Sequence, residues 1–174
     1  MAETLEHDLP TVSVIVLNYN GKHHLETCFP SLLDLRYPKE RLELVMVDND
    51  SRDGSVEFMR LTYPAVRVIR NPENYGFSKG NNIGARVATG QYVAFLNNDS
   101  RVDPGWLMEL VKPLSIDLNT VCVASKILSW DGKAVDFVGG KLNFYGYGFH
   151  VDYGAPYIDK YYDEDKFVPA PCGG

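Results

Sequence analysis

The sequence predicts an α/β fold: a mostly parallel sheet flanked by helices, with a smaller irregular or antiparallel part at the C-terminal end. Three observations carry this. Over residues 11–125, short β-branched runs alternate with amphipathic stretches of helical length in the order β-α-β-α-β-α-β-α-β, which implies right-handed crossovers and helices on both faces. Three of the runs stop on Asn/Asp clusters, at Asn18/Asn20, Asp48/Asn49/Asp50 and Asn97/Asn98/Asp99. A parallel sheet gathers such strand ends at one edge, where open α/β folds bind ligands. Beyond residue 126 the pattern shifts to Gly- and aromatic-rich short alternations, the signature of antiparallel hairpins and loops.

The elements follow in order. Residues 1–10 read as a flexible polar segment. Thr11 to Leu17 is β-branched and apolar, a first buried strand. A helix follows from about His23 to Leu33, with Leu25, Cys28, Phe29, Leu32 and Leu33 at helical spacing and Pro30 a source of bending. Leu42 to Val47 is a second strand, and Ser51 to Ser55 leads into a helix through about Leu61. Val66 to Ile69 is a short third strand. Ser78 is placed to cap a helix reaching about Ala88. Gly80 and Gly84, four apart on that helix, mark the close approach of another backbone or a ligand, because each lowers helix stability by roughly 1 kcal/mol relative to Ala. Tyr92 to Leu96 is an apolar run after Gly90 that reads as a strand buried on both faces. Asp103-Pro104 opens a helix to about Leu114, and Val121 to Ser125 is a further strand. Phe167 to Gly174 resembles the approach to another element.

Composition narrows the function classes. The chain has 174 residues, 45% hydrophobic and 23% charged, which suits one globular domain able to bury a core. A net charge of -6 argues against a nucleic-acid surface and offers no basic patch for anionic lipid. Cys28, Cys122 and Cys172 make an odd count, and the first two sit among apolar neighbours, so buried thiols in a reducing compartment are expected. The four histidines are too scattered to form a metal site. No signal-peptide core and no bilayer-spanning run is visible. The expected location is cytoplasmic, with peripheral attachment at the inner face of the membrane as a further option.

The three polar strand ends, with the Gly-rich stretch Gly76 to Gly84, point to a nucleotide crevice rather than to three independent turns. Asp99, a lone carboxylate beside Asn97 and Asn98, suits a hard divalent cation that takes its other ligands from water and substrate phosphates. Asp48 is suited either to hydrogen-bond a base or to cap the following helix. The glycines do not form Gly-x-Gly-x-x-Gly, and no Walker-type Gly-Lys-Ser/Thr is present. Phe144 to Tyr153 is either an acceptor groove for stacking on sugar rings or the packing of a hairpin.

Four segments then carry a resemblance: Val12 to Gly21, Val47 to Ser55, Asn74 to Gly84 and Leu96 to Asp99. In order and spacing they resemble the signature blocks of family 2 glycosyltransferases, nearest to the rhamnosyltransferase-like branch. The resemblance implies a GT-A (nucleotide-diphospho-sugar transferase) fold and transfer of a sugar with inversion at the anomeric carbon. It implies that Leu17, Asn18 and Tyr19 lie along the nucleoside, that Asp48 and Asn49 meet the base, and that Gly76, Gly80, Asn82, Asn97 and Asn98 complete the nucleotide site. Asp99 would be the ligand for Mn2+ or Mg2+. Asn97 departs from the first Asp of the family's Asp-x-Asp motif. The family block that supplies the general base would begin where this chain ends, so the base is expected beyond Gly174 and the chain reads as C-terminally truncated. Asp163, Glu164 and Asp165 are better read as a solvated loop than as that base. The domain organisation implied is a nucleotide-sugar-binding α/β domain over 11–125 and the incomplete start of an acceptor-side region over 126–174. Expected partners are a UDP-, GDP- or dTDP-linked sugar and a glycan or lipid-linked acceptor of cell-surface polysaccharide synthesis. Exposed apolar surface near the C-terminus would favour self-association. The rival readings are a nucleotide-sugar-binding module without turnover and, less well supported by the single Lys22 after the first strand, a nucleotidyltransferase.

Overall fold

The computed structural model describes residues 9–145 and 147–159. Two compact units divide after Met108. The first holds a four-stranded parallel sheet in the order β3-β2-β1-β4: β1 Val12–Asn18, β2 Leu42–Asp48, β3 Arg67–Arg70 and β4 Tyr92–Asn97. Its helices are α1 Lys22–Leu33, α2 Ser55–Thr62 and α3 Gly76–Val87, followed by α4 Trp106–Ile116, which crosses the division. The expected α/β class with a mostly parallel, helix-flanked sheet is what forms.

Alternation sets which side chains meet which helix. Ile15, Val45 and Val47 point to the face covered by α3, where Leu17, Ile69, Ile83, Val87 and Ala88 join them. The opposite parity, Val12, Val14, Val16, Leu44 and Met46, is buried too, as are Leu25, Cys28, Phe29 and Leu32 of α1 and Val56 and Met59 of α2, helices that pack on each other. Each wholly buried aliphatic side chain of this kind contributes about 1.5–3 kcal/mol. Pro30 is accommodated inside α1, and Phe29 stacks on Tyr63 at 5.9 Å.

Ser13 and Asn18 are the polar side chains buried in β1, and Ser13, in mid-strand, is fully satisfied. It donates to Glu43 at 2.5 Å and accepts the backbone N–H groups of Thr89 at 3.2 Å and Gly90 at 2.9 Å. Glu43 also accepts from Thr89 N and Oγ1, each at 2.9 Å, and pairs with Arg67 at 3.4 Å. Burial pushes the Glu43 carboxyl up, but these hydrogen bonds together outweigh it and hold the group below its ordinary 4.5. A depressed folded value means stability that is fully present above the unfolded value and lost as pH falls through the folded one. Glu43→Gln should therefore lower stability by about 1–2 kcal/mol at pH 7. The deficit should shrink as pH drops below about 4; equal deficits at pH 7 and pH 3 in urea melts would refute this account.

The structure corrects several sequence expectations. β4 is an edge strand: Val93 and Phe95 are exposed, Phe95 at 52%, so this run is not buried on both faces. An apolar run reports a strand, not how many neighbours cover it. No strand forms over 121–125; Val121 is 91% exposed and Cys122 is exposed, not buried. Among the described residues no strand pairs with that segment. Helix α3 starts at Gly76, not at a Ser78 cap, because Asn74 Oδ1 accepts the Gly76 N–H at 2.8 Å and Gly76 takes φ +72°. The second unit carries the expected short antiparallel pairs, β5 Ile127–Leu128 with β6 Val135–Phe137, and β7 Gly140–Leu142 with β8 Gly148–His150. Phe144, Tyr145 and Tyr147 stand exposed in the connection between β7 and β8, so they are not the packing of that hairpin. Asp163, Glu164, Asp165 and Cys172 lie outside the described residues.

Candidate functional site

The register of the sheet assembles the site. Asn18 lies opposite Asp48, and Leu17 lies opposite Asn97, so three polar strand ends meet at one edge of the first unit. They are hydrogen-bonded to one another. Asn98 Nδ2 donates to Asn18 Oδ1 at 2.8 Å, and Asn18 Nδ2 donates to Asp48 Oδ1 at 3.0 Å and to Ser51 Oγ at 3.1 Å. Asp48 Oδ2 accepts the Ser51 N–H at 2.8 Å, which closes the turn after β2. Ser51 Oγ also accepts the Asn20 N–H at 2.8 Å, and Asn20, at φ +51°, accepts the Arg52 N–H with its side chain.

A second cluster ties β2 to the start of α3. Asn49 donates to Asn74 Oδ1 and to the Gly76 carbonyl, both at 3.1 Å, and accepts from Asn71 Nδ2 at 2.8 Å. Asp53 links two helix starts: it accepts the Lys22 N–H of α1 at 2.8 Å and the Ser55 N–H of α2 at 3.0 Å. Burial pushes the Asp53 carboxyl up, yet its hydrogen bonds from Ser55 and Lys22 hold it below the usual range. Asp50, at φ +63°, pairs with Arg70 at 3.1 Å.

These contacts sort the candidate residues. Tyr19, 52% exposed, and Asp99, exposed in the turn Asn97–Ser100, face solvent at the strand ends. Asn98 is half-buried beside them, and Gly76 is exposed with nothing within 4 Å of where a β-carbon would stand. Asn82 is exposed on α3. Asn18, Asp48 and Asn49 are sealed from solvent. They were expected on the nucleoside and base; instead, their polar atoms are consumed by neighbouring strands and turns. Asp48 does not cap α2 either, since Gly54 holds the N-cap position without a side-chain bond; its carboxylate closes the turn at Ser51 instead. Leu17, partly buried, packs beneath α3, and Gly80 is buried against it.

Asp99 fits a cation site only as one member of a shared set. Among the described residues no group of three or more His, Cys, Asp or Glu side chains gathers. A single accessible carboxylate is the donor pattern of a hard ion whose remaining ligands are diphosphate oxygens and water. Beneath it Cys28 is buried, its thiol 3.9 Å from the Asn97 carbonyl. Burial first, and the Asp99 charge second, push that thiol up to about 12, so it stays protonated.

Sequence reasoning missed Gly21. A β-carbon there would stand 2.3 Å from Asn98 Nδ2 and 2.7 Å from Asn18 Oδ1. Its position after Asn20 signals a turn but not this pressure on a hydrogen bond from a distant strand. Ser51, Asn71 and Asn74 were visible as turn residues, not as partners of Asn18 and Asn49.

A family model described as glycosyl transferase family 2 matches residues 13–148. Glycosyltransferase AglE of Haloferax volcanii is 30% identical over 139 residues, 78% of this chain and 40% of its own length. The putative teichuronic acid biosynthesis glycosyltransferase TuaG of Bacillus subtilis is 30% identical over 135 residues, 73% of this chain and 51% of its own. Among solved structures, the mannosyltransferase PcManGT from Pyrobaculum calidifontis, in complex with GDP-Man and Mn2+, aligns with a TM-score of 0.64 at 29% identity, covering 71% of this chain and 37% of that one. S. aureus TarS 1-349 in complex with UDP-GlcNAc aligns at 0.57 with 22% identity over 68% of this chain and 38% of its own, a likeness of fold. The chain thus spans about half or less of the length of these proteins. Among the described residues no helix is long and apolar enough to cross a membrane.

Proposed function

The chain belongs to glycosyl transferase family 2, and we propose that it is the nucleotide-sugar-binding part of an inverting glycosyltransferase. The observation that carries this is the joined edge: three strand ends fastened by Asn98–Asn18–Asp48, with Tyr19 and Asp99 left exposed on top of them. The donor region is residues 11–125, and residues 126–174 open the acceptor side. Likeness to a neighbour solved with GDP-Man and Mn2+ supports a nucleoside diphosphate donor and a divalent cation.

The roles follow from exposure. Tyr19 offers a flat ring for the nucleoside, and Gly76 offers open backbone. Asn98 and Asp99 sit where the diphosphate would pass, Asp99 holding the cation. That ion, when bound, neutralises the charge that develops on the diphosphate leaving group. Asp48 and Asn49 act from below, holding the Ser51 and Gly76 loops in place. The acceptor in this reading is a saccharide or lipid-linked saccharide of a cell-surface polymer, in keeping with the relative TuaG, and the rhamnosyltransferase-like branch is the finer placement. A cytoplasmic setting, peripheral at the inner membrane face for a lipid-linked acceptor, belongs to the same proposal.

Calorimetry with UDP, GDP and dTDP, each with and without Mn2+, tests it. One nucleoside diphosphate should bind, and Mn2+ should tighten it by about tenfold or more. Absence of binding by all three in Mn2+ would end the proposal. Preference for a triphosphate with release of pyrophosphate would favour a nucleotidyltransferase. The second reading, binding without turnover, predicts a nucleotide-sugar that binds and is never transferred.

A further inference from the structure

We infer that Asn18 is a positioning residue: its buried side chain sets the Asn97–Ser100 turn, and with it Asp99, relative to the rest of the site. The inference rests on the nucleotide-sugar reading above. Asn18 is wholly buried, so it cannot touch a ligand, yet its carboxamide joins the other two strand ends. Its orientation follows from chemistry. The Asp48 carboxylate is an acceptor only, so Asn18 must turn Nδ2 toward it, at 3.0 Å. Asn18 Oδ1 then faces Asn98, which must answer with its own Nδ2, at 2.8 Å. Asn98 is thereby held in one orientation, and Asp99 is the next residue along.

This tether joins the turn to the centre of the sheet, whereas Cys28 Sγ on the Asn97 carbonyl and Ser31 Oγ on the Val102 N–H join it to α1. β4 is an edge strand, and its turn is closed by the backbone bond from Ser100 N to Asn97 O at 3.2 Å. A turn at the end of an edge strand is a place where local opening begins. The Asn98–Asn18 bond fastens it to β1, which is paired on both sides. Gly21 guards the junction, since a β-carbon there would collide with both partners. Its backbone, φ -114° and ψ 31°, does not itself demand glycine.

Two variants test the inference. Asn18→Ala removes the link but leaves Asp48 short of a buried partner, so it risks misfolding. Gly21→Ala removes no hydrogen-bonding group, and its β-carbon presses on both Asn98 Nδ2 and Asn18 Oδ1 and so opens the bond between them. Amide hydrogen exchange on the nucleotide-free protein should show Ser100 accelerated by about tenfold or more in Gly21→Ala, with the core amide of Val45 unchanged. In calorimetry, the gain in nucleoside diphosphate affinity conferred by Mn2+ should fall by about tenfold, as expected when a support of a metal ligand is lost. Affinity for the corresponding nucleoside should hold within about twofold. Unchanged exchange at Ser100, or nucleoside and diphosphate affinities falling together, would overturn the inference. If the unaltered protein binds no nucleoside diphosphate in Mn2+, the nucleotide reading fails, and exchange at Ser100 alone decides whether Asn18 positions the Asp99 turn.

Discussion

Asp99→Ala should abolish the Mn2+-dependent part of nucleoside diphosphate binding while leaving the fold intact. The side chain is exposed, so its removal should change stability by no more than about 0.5 kcal/mol. No group of three or more acidic, His or Cys side chains exists among the described residues to replace it at the cation. A carboxylate contributes net charge to a cation that also faces a diphosphate, and an alanine contributes none. The expected loss in Mn2+ is the whole of the gain that Mn2+ confers, about tenfold or more, or at least roughly 1.4 kcal/mol. Without Mn2+ the variant and the parent should bind alike. Asp99→Asn, which keeps the shape and loses the charge, should fall nearly as far. The change should not release a reactive thiol beneath the site, because burial is the larger cause of the raised Cys28 value and Asp99 the smaller. An Asp99→Ala protein that retains Mn2+-stimulated binding in calorimetry would place the cation elsewhere.

What the sequence disclosed and what it withheld divide along a physical line. β1, β2 and β3 were legible almost to the residue because β-branched runs bounded by polar clusters have few other uses. The shared edge was legible because parallel strands leave no other arrangement for their carboxyl ends. The direction of each side chain at that edge was not. Asn18, Asp48 and Asn49 look like ligand contacts in a linear motif, but register places Asn18 beside Asp48 and turns both inward. Tyr19, one residue further, escapes to solvent. The extent of burial was equally hidden. Tyr92 to Leu96 and Val121 to Ser125 have the composition of covered strands, and composition does not say whether a neighbour arrives. The first became an edge strand, and the second is not a strand. The paired glycines of α3 announced a close approach correctly, but the partner is the sheet's own side chains.

Those glycines also carry a stability prediction. A β-carbon at Gly84 would lie 2.4 Å from Ile15 Cγ2 and 3.0 Å from Val47 Cγ2. Both residues are wholly buried, on the central strands β1 and β2, and both are β-branched, with χ1 held stiffly. They cannot step aside, so α3 must lift, loosening the contacts of Ile83, Val87 and Ala88 with the core. Overpacking of this kind costs about 1–3 kcal/mol. Helix propensity acts the other way, favouring Ala over Gly by about 1 kcal/mol. Because the collision involves two rigid core side chains, Gly84→Ala should be destabilising on balance, by about 1–2 kcal/mol. Gly80→Ala provides the contrast. Its β-carbon would meet Leu17 Cδ1 at 2.5 Å, the far end of a flexible side chain, and Asn49 Nδ2 at 3.2 Å. Leu17 can rotate, so propensity and strain should roughly cancel in urea melts. The pressure on Asn49 should instead disturb its bonds to Asn74 and Gly76, and so weaken nucleotide binding. One turn of α3 thus separates a glycine pressed on rigid core side chains from one pressed on Leu17 and Asn49, and a Gly84→Ala protein as stable as its parent would dissolve that distinction.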